Sequence, residues 1–234
     1  GSTSLTKCTH GLSRYKRHSQ QSKERWGAMQ SISTMTNTKS YDEAFLTGCD
    51  ATTEWMMPWF LDNYQRHATK PLVFANFGVN NLDQIKPHVH AIIDLTRVKE
   101  EGWFKKPKAL RHSPSKKTIW LDTDCQVVGK IDGLFNLLVP NKLNMVEDLP
   151  WKLRRGGVQF NSGVVGIIDK PLILGMWQDW CSNSEQVGDQ ETLTANLNPI
   201  TQMTYINNLP NEYNWLRLQT VSYTHLTLPT NREV

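Results

Sequence analysis

The sequence lacks any long hydrophobic run. Of its 234 residues 38% are hydrophobic, yet no uninterrupted apolar stretch approaches the roughly 20 residues that a membrane-spanning helix requires. We therefore expect no transmembrane helix within these residues. The length and the composition instead allow one α/β domain with a substantial core, together with loose ends.

Cysteine is scarce, and its spacing excludes two common kinds of site. The four cysteines form neither a C-x-x-C pair nor a zinc-like pattern: Cys8, Cys49, Cys125 and Cys181. Widely spaced single cysteines are typical of free thiols in a reducing compartment, so the sequence predicts a cytoplasmic protein. Cys125 is expected to pack beneath a site rather than to bind a metal.

Acidic residues are nearly absent from the first 40 residues, which contain seven Lys or Arg and one Glu. This segment accounts for +6 of the charge, so the rest of the chain carries −2 of the total of +4. No nucleic-acid motif accompanies the charge, and we predict a flexible, solvated arm without a nucleic-acid partner, although contact with phosphates or anionic lipid stays open.

Residues 1–2 resemble the remnant of a cleaved tag, and residues 221–234 resemble a cloning or sequencing artefact. Residues 41–220 are left as the domain.

Apolar runs alternate with helical patterns along this domain. Four runs are predicted to be strands: 44–50, 71–77, 90–95 and 118–121. Runs that are apolar almost throughout are typical of strands covered on both faces, and the alternation favours a mainly parallel sheet with right-handed crossovers. A helix after the first strand carries an aromatic stripe that we expect to be buried in the core: Trp55, Met56, Trp59, Phe60 and Tyr64.

Two carboxylates follow the fourth strand. Asp122 and Asp124 are separated by one residue, at the carboxyl end of a predicted parallel strand. Ligands of open α/β sheets bind outside this edge, where two carboxylates can hold a divalent cation and, through it, a diphosphate. Alternatively, the two residues only cap a turn.

Three more segments follow in order, with the sequences IDGLF at 131–135, FNSGVV at 160–165 and DQE at 189–191. Together with the D-x-D motif they resemble nucleotide-sugar glycosyltransferases of the GT-A fold, and most closely glycosyltransferase family 8, over residues 44–216. The resemblance implies an α/β fold of one domain. Its sheet is the Rossmann-like GT-A type, open and mainly parallel between flanking helices, with residues 157–168 as an antiparallel strand.

The resemblance also implies an activity. The chain would be a hexosyltransferase that moves a sugar from a nucleoside diphosphate sugar, most simply a UDP-sugar, to an unidentified saccharide or protein acceptor, with retention. Mn²⁺ or Mg²⁺ would be held by Asp122 and Asp124. Of these, Asp124 would be the stronger ligand, and Asp122 would be shared between the metal and the ribose.

Several further residues receive roles from the same resemblance. Asp189 would position the transferred sugar and Gln190 would lie near its anomeric carbon, although Asp189 could also cap its helix. Asn161 would meet sugar hydroxyls, or alternatively stabilise a bulge. Nucleotide or diphosphate contacts are expected from Thr47, Asp50 and Lys108, although Lys108 could equally be solvated.

One part of the family pattern is missing, the late segment that supplies a histidine ligand and a phosphate-binding lysine. His225 is the only histidine after position 112, and nothing in its spacing places it beside the metal. Donor binding could therefore be weakened and turnover impaired. Two alternatives stay open, a nucleotide-sugar-binding module without significant turnover and a nucleotidyltransferase. The acidic, glycine-poor loop at 48–54 argues against the second.

Overall fold

Seven strands form one mixed sheet within residues 39–214, the part of the chain that this computed structural model describes. The strands are β1 Tyr41–Cys49, β2 Leu72–Asn76, β3 Ala91–Asp94, β4 Ser115–Leu121, β5 Leu143–Glu147, β6 Phe160–Ile168 and β7 Ile206–Asn208. Their order across the sheet is β3-β2-β1-β4-β6-β5-β7. The four strands predicted from apolar runs are all present.

The directions of the strands confirm a mainly parallel sheet with an antiparallel part. β1 pairs in parallel with both β2 and β4, and β2 pairs in parallel with β3. β6 runs antiparallel to β4, as expected, and β5 runs antiparallel to β6. β5 and β7, for which no apolar run predicts a strand, pair in parallel at the edge of the sheet.

Helices connect and cover the strands. They are α1 Met57–His67, α2 Leu82–Ile85, α3 Lys106–His112, α4 Leu149–Arg155, α5 Leu172–Cys181, α6 Asp189–Asn196 and α7 Pro199–Tyr205. Short 3₁₀ helices occur at Glu54–Met56, Lys86–His88, Gly102–Lys105, Asp132–Leu137 and Asn211–Asn214. Proline occupies the first or second position of α1, α3, α4 and α7, where its missing N–H costs no helical hydrogen bond. In the described part of the chain, no helix combines the length and the apolar character needed to cross a bilayer.

The core lies on both faces of the sheet, because side chains of a strand alternate between faces. Leu46 and Trp120 belong to one apolar cluster, and the neighbouring Phe45 and Ile119 belong to the other. The aromatic stripe divides differently from our expectation. Phe60 and Tyr64 are buried as predicted, whereas the exposed fractions of Trp55 and Trp59 are 75% and 43%, so the prediction that the whole stripe is core was wrong.

The sheet order places a crevice between β1 and β4. The chain passes from β1 outward to β2 and β3, then returns to form β4 on the other side of β1. At such a reversal the loops that follow the two central strands diverge, and ligands of open α/β sheets bind there. Asp50 follows β1 directly and Asp122 follows β4 directly, so both lie at this edge.

Candidate active site

Asp122 is held in a fixed orientation at the end of β4. Its backbone N–H donates to the carbonyl of Gly163 at 2.9 Å. Its carboxylate oxygen Oδ1 accepts a 2.5 Å hydrogen bond from Nε1 of Trp120, two residues earlier in the strand. A buried strand residue therefore fixes the first carboxylate of the D-x-D motif.

The ammonium group of Lys106, at the start of α3, lies at the centre of the site. Its side chain is 1% exposed and is surrounded by oxygen atoms. The distances from Nζ are 3.0 Å to Asp122 Oδ1, 3.3 Å to Asp122 Oδ2, 3.1 Å to Asp189 Oδ2, 3.0 Å to the Ser162 carbonyl and 3.1 Å to Ser162 Oγ. Residues widely separated in sequence thus converge on one cation.

The surroundings of Lys106 keep it charged. Burial opposes the charged form of a lysine, but the carboxylates of Asp122 and Asp189 outweigh this effect and raise the pKa of Lys106 above its ordinary value. The ammonium also lies 5.6 Å from the centroid of the Trp120 ring, a favourable cation–π distance. The site therefore contains a fixed positive charge beside the first carboxylate.

The position of Lys108 requires a correction. We expected Lys108 to face a diphosphate, but its Nζ lies 2.7 Å from Oε2 of Glu100. The other oxygen of Glu100, Oε1, accepts a hydrogen bond from the hydroxyl of Ser182. Residues two positions apart on a helix differ in direction by about 200°, so Lys106 and Lys108 leave α3 on opposite sides. Lys106, which the sequence analysis did not select, is the lysine that reaches the carboxylates.

Asp189 and Gln190 enter the site from the start of α6. Gly188 occupies the N-cap position, and the Asp189 side chain points to Lys106 rather than capping its own helix. The amide of Gln190 is held at both ends. Its Oε1 accepts from the N–H of Ser162 at 3.0 Å, and its Nε2 donates to Oδ2 of Asp148 at 3.4 Å.

Asp124 differs from Asp122 because it has no cationic partner among the described residues. Desolvation of its carboxyl group and the nearby charge of Asp122 raise the pKa of Asp124. Two adjacent carboxylates, one without a cation, suit a hard divalent ion. Residues 39–214 contain no group of three or more His, Cys, Asp or Glu side chains that could hold a metal, so within this range Asp122 and Asp124 are the carboxylates that the motif offers.

The residues predicted at the end of β1 have mainly local partners. The hydroxyl of Thr47 is fully buried and donates to the carbonyl of Leu121 at 2.7 Å, so it ties β1 to β4, and its contact with a nucleotide stays a prediction. Asp50 Oδ1 accepts from the N–H of Thr52 at 2.9 Å and from its hydroxyl at 2.5 Å. Asp50 also lines a cavity of about 70 Å³ whose other walls include Phe77 and Trp103.

Asn161 makes backbone contacts that fit one of the two alternatives. Its Oδ1 accepts from the N–H of Gly163 and from Nδ2 of Asn214, both at 2.8 Å. A side chain on Gly163 would place Cβ only 2.9 Å from this oxygen, so glycine is needed for the close approach. The side-chain amide oxygen of Asn161 therefore stabilises the local backbone. Contact of this side chain with a sugar stays a prediction.

His225 and the tail at 221–234 lie outside the described residues, as does the greater part of the basic N-terminal segment. Within residues 39–214, the structure adds three residues that the sequence analysis did not name as site residues: Lys106, Asp148 and Ser162. Ser162 lies within the FNSG motif, which was the available signal for it. The site as a whole unites the ends of β1 and β4 with the starts of α3 and α6.

No model of a known protein family matches the sequence, and no curated protein matches it either. Solved structures do match. The glycosyltransferase GlyE of Streptococcus pneumoniae TIGR4 is 19% identical with a TM-score of 0.57, and the match covers 80% of this chain but 50% of GlyE. The chain therefore spans about half the length of that protein.

Two further glycosyltransferases are similar over most of this chain. The galactosyltransferase LgtC, in complex with donor and acceptor sugar analogues, is 13% identical with a TM-score of 0.57, and the match covers 77% of this chain and 78% of LgtC. The bifunctional glycosyltransferase WbbM is 13% identical with a TM-score of 0.54, covering 77% of this chain and 41% of WbbM. These similarities, with the mixed sheet and its order, show that the chain has a GT-A-like glycosyltransferase fold.

Proposed function

We propose that the chain is a glycosyltransferase that moves a sugar from a nucleoside diphosphate sugar, most simply a UDP-sugar, to an acceptor. The observation that carries this proposal is the convergence of Asp122 and Asp189 on the buried ammonium of Lys106. Asp122 lies at the carboxyl end of β4, where a nucleotide would bind, and Asp189 lies at the start of α6, where a sugar would bind. One cation thus links the two halves of a donor site, and the glycosyltransferase structures of similar fold support this interpretation.

Asp122 and Asp124 would hold Mn²⁺ or Mg²⁺ through their carboxylate oxygens. When bound there, the ion would serve as a Lewis acid for the two phosphates as negative charge develops on the leaving diphosphate. Lys106 would orient Asp122 and add a fixed positive charge close to that group. Because the ammonium is already buried and desolvated, no solvent has to reorganise around it during the reaction.

Asp189 and Gln190 would bind the sugar on the other side of the bond that breaks. Asp189 is 4% exposed and fixed by Lys106, so its remaining oxygen could accept a sugar hydroxyl. The carbonyl oxygen of Gln190 has two lone pairs, and Ser162 uses only one of them. The other could face the anomeric carbon, an arrangement that suits transfer with retention.

A nucleotide-sugar-binding module without significant turnover is the second candidate. It is favoured by the donor set of residues 39–214, where no third His, Cys, Asp or Glu side chain joins the two carboxylates in a metal-binding group. Such a module would bind a nucleoside diphosphate in the presence of Mn²⁺ but would not break the bond to the sugar.

Turnover measurements separate the two candidates. Purified protein would be incubated with a panel of UDP-, GDP- and ADP-sugars and Mn²⁺, and released nucleotide would be quantified by chromatography. Release that EDTA stops and that the Asp124→Asn variant lacks supports the glycosyltransferase, and the anomeric configuration of the product would test retention. Manganese-dependent binding without release would favour the binding module. Release that persists in EDTA would count against both uses of the D-x-D motif.

A further inference from the structure

Helix α4 is directly connected to Gln190. The side chain of Asp148 caps α4 by accepting from the N–H of Trp151 at 2.9 Å, and its other oxygen accepts from Nε2 of Gln190 at 3.4 Å. One carboxylate therefore touches both the start of α4 and the residue placed near the anomeric carbon. Any acceptor that approaches the sugar beside Gln190 would pass close to α4.

The exposed part of α4 is basic. Lys152, Arg154 and Arg155 are all exposed, and Lys152 forms an ion pair with Glu147 at 2.8 Å. Neither arginine takes part in any ion pair between residues of the described range 39–214. This basic pair lies in a part of the chain, the residues after 40, whose net charge is −2 with the pair included.

Both guanidinium groups are partly held in place. Nε of Arg154 donates to the carbonyl of Pro150 at 3.1 Å, and the Arg155 guanidinium lies 5.5 Å from the centroid of the Trp151 ring. These contacts leave the terminal N–H groups of both arginines for a ligand. Guanidinium groups bind carboxylates and phosphates through pairs of parallel hydrogen bonds, which a lysine does not reproduce.

The loop after α4 brings the chain back to Asp148, the residue that contacts Gln190. Gly156 and Gly157 adopt left-handed conformations with φ of 68° and 78°, which turns the chain back sharply. The N–H of Asp148 then donates to the carbonyl of Gln159 at 2.7 Å, so the two ends of the segment are joined. A cation at a helix C-terminus is favourable by itself, but that effect requires neither two adjacent arginines nor the stacked Trp151.

We propose that Arg154 and Arg155 select an acceptor that carries an anionic group, a carboxylate or a phosphate, near the hydroxyl that receives the sugar. This inference rests on the proposed function, because it assigns the acceptor class of the same site. The two arginines are specificity-determining residues that bind the anionic group of the acceptor. The donor nucleotide, bound on the other side of Lys106, does not depend on them.

The test compares glycan binding with nucleotide binding in the same preparations. An array of neutral, uronic-acid-containing and phosphorylated oligosaccharides would be probed with the unsubstituted protein, the Arg154→Gln/Arg155→Gln variant and the Arg154→Lys/Arg155→Lys variant. Arg66→Gln is the matched control, since Arg66 is exposed on α1 and its ion-pair partner within residues 39–214 is Asp62. Calorimetry with UDP and Mn²⁺ would monitor the donor site.

We expect the unsubstituted protein to prefer anionic glycans, uronic or phosphorylated, and the array identifies which. The double Gln variant should lose about tenfold or more in affinity, as the loss of one charge-assisted hydrogen bond implies. The double Lys variant should recover part of the affinity for anionic glycans. The Arg66→Gln variant should bind these glycans like the unsubstituted protein, and UDP binding should be the same in all variants. Equal binding of neutral glycans, binding of no glycan, or anionic binding that the Gln variant retains would overturn the inference while UDP binding persists.

Two other outcomes are also decisive. Exposed Leu153 adjoins the arginines, so the proteins would also be sedimented with phosphatidylglycerol vesicles. If the Gln variant loses only vesicle association and keeps its glycan profile, α4 is a membrane contact and the inference is wrong. Absence of manganese-dependent UDP binding in the unsubstituted protein would instead contradict the proposed function, and with it this inference.

Discussion

The ammonium nitrogen of Lys106 lies 3.1 Å from Oδ2 of Asp189, and both side chains are almost completely buried. This ion pair joins the start of α3 to the start of α6, and Asp122 extends it to the end of β4. Because Lys106, Asp122 and Asp189 come from three separate parts of the chain, the two ion pairs fix the geometry of the site and contribute to the stability of the fold.

Replacing Lys106 by Met should therefore destabilise the protein strongly. Removal of Lys106 leaves the buried carboxylate of Asp189 and the half-buried carboxylate of Asp122 without a cation, and breaking a buried ion pair costs about 3–5 kcal/mol. Urea unfolding would measure the loss. In the control Lys86→Met, an exposed lysine paired with Asp83 is removed, and the free energy of unfolding should change by less than about 1 kcal/mol. Equal effects of the two substitutions would contradict the structural role of Lys106.

Asp124→Asn should leave the fold intact and abolish manganese-dependent nucleotide binding. Asp124 has no ionic partner in the described part of the chain, and its neighbour Asp122 repels it, so removal of its charge costs little stability. Thermal unfolding and calorimetry with UDP would be measured on the same sample. Asp83→Asn, at an exposed carboxylate on α2, is the control and should bind UDP normally. Unchanged UDP binding in Asp124→Asn would remove this residue from the site.

Gln190→Ala should reduce turnover without removing nucleotide binding. Its amide contacts Ser162 and Asp148 and has no contact with Asp122 or Asp124 in the described structure, and in the proposed function it lies beside the sugar. Loss of one positioned polar group that acts on the reacting centre costs about 10²–10³ in kcat. Steady-state kinetics with the best donor sugar would show the effect. A rise in KM at constant kcat would instead assign Gln190 to ground-state binding.

Gly48→Ala should destabilise the centre of the sheet. A Cβ at this position would lie 2.6 Å from the carbonyl oxygen of Ala75 and 2.8 Å from its Cβ, and neither atom can move without displacing β2. Overpacking of this kind costs about 1–3 kcal/mol. At Gly129 an added Cβ meets no atom within 4 Å, so Gly129→Ala serves as the control for chemical denaturation. Similar stability of both variants would show that β1 and β2 separate easily.

Three thiols should resist alkylation in the native protein. Burial raises the pKa of Cys49 to about 12 and raises the pKa of Cys125 and Cys181 as well. Only the thiolate is nucleophilic, so the raised pKa values keep these residues protonated and unreactive at pH 8. Iodoacetamide labelling followed by peptide mass spectrometry, in buffer and in urea, would measure it. Fast labelling of Cys181 in buffer would contradict its burial.

The sequence was sufficient to predict the four parallel strands and the edge at which Asp122 and Asp124 lie. Continuous apolar runs, and the charged residues that follow them, are local signals that do not depend on tertiary contacts. β5 and β7 were missed because they are short and include polar residues, such as Asn144 and Asn207. β5 pairs with β6, and β7 pairs with β5, so neither strand is visible in local patterns.

The side-chain directions could not be predicted in the same way. Lys106 and Lys108 are both plausible in the sequence, and the choice depends on which face of α3 meets the sheet and where Glu100 lies. Trp55 and Trp59 have helical spacing, yet that spacing does not say how wide the buried face is. Thr47 is at the correct edge but points to the Leu121 carbonyl. Each of these outcomes depends on tertiary contacts.

The most direct test of the donor site is isothermal titration calorimetry with UDP, in Mn²⁺ and in EDTA, using the unsubstituted protein and Asp124→Asn. We predict measurable binding to the unsubstituted protein in Mn²⁺, and loss of that binding both in EDTA and in the variant. Binding of equal strength in Mn²⁺ and EDTA, or no binding in either, would contradict the assignment of Asp122 and Asp124 to a metal-dependent nucleotide site.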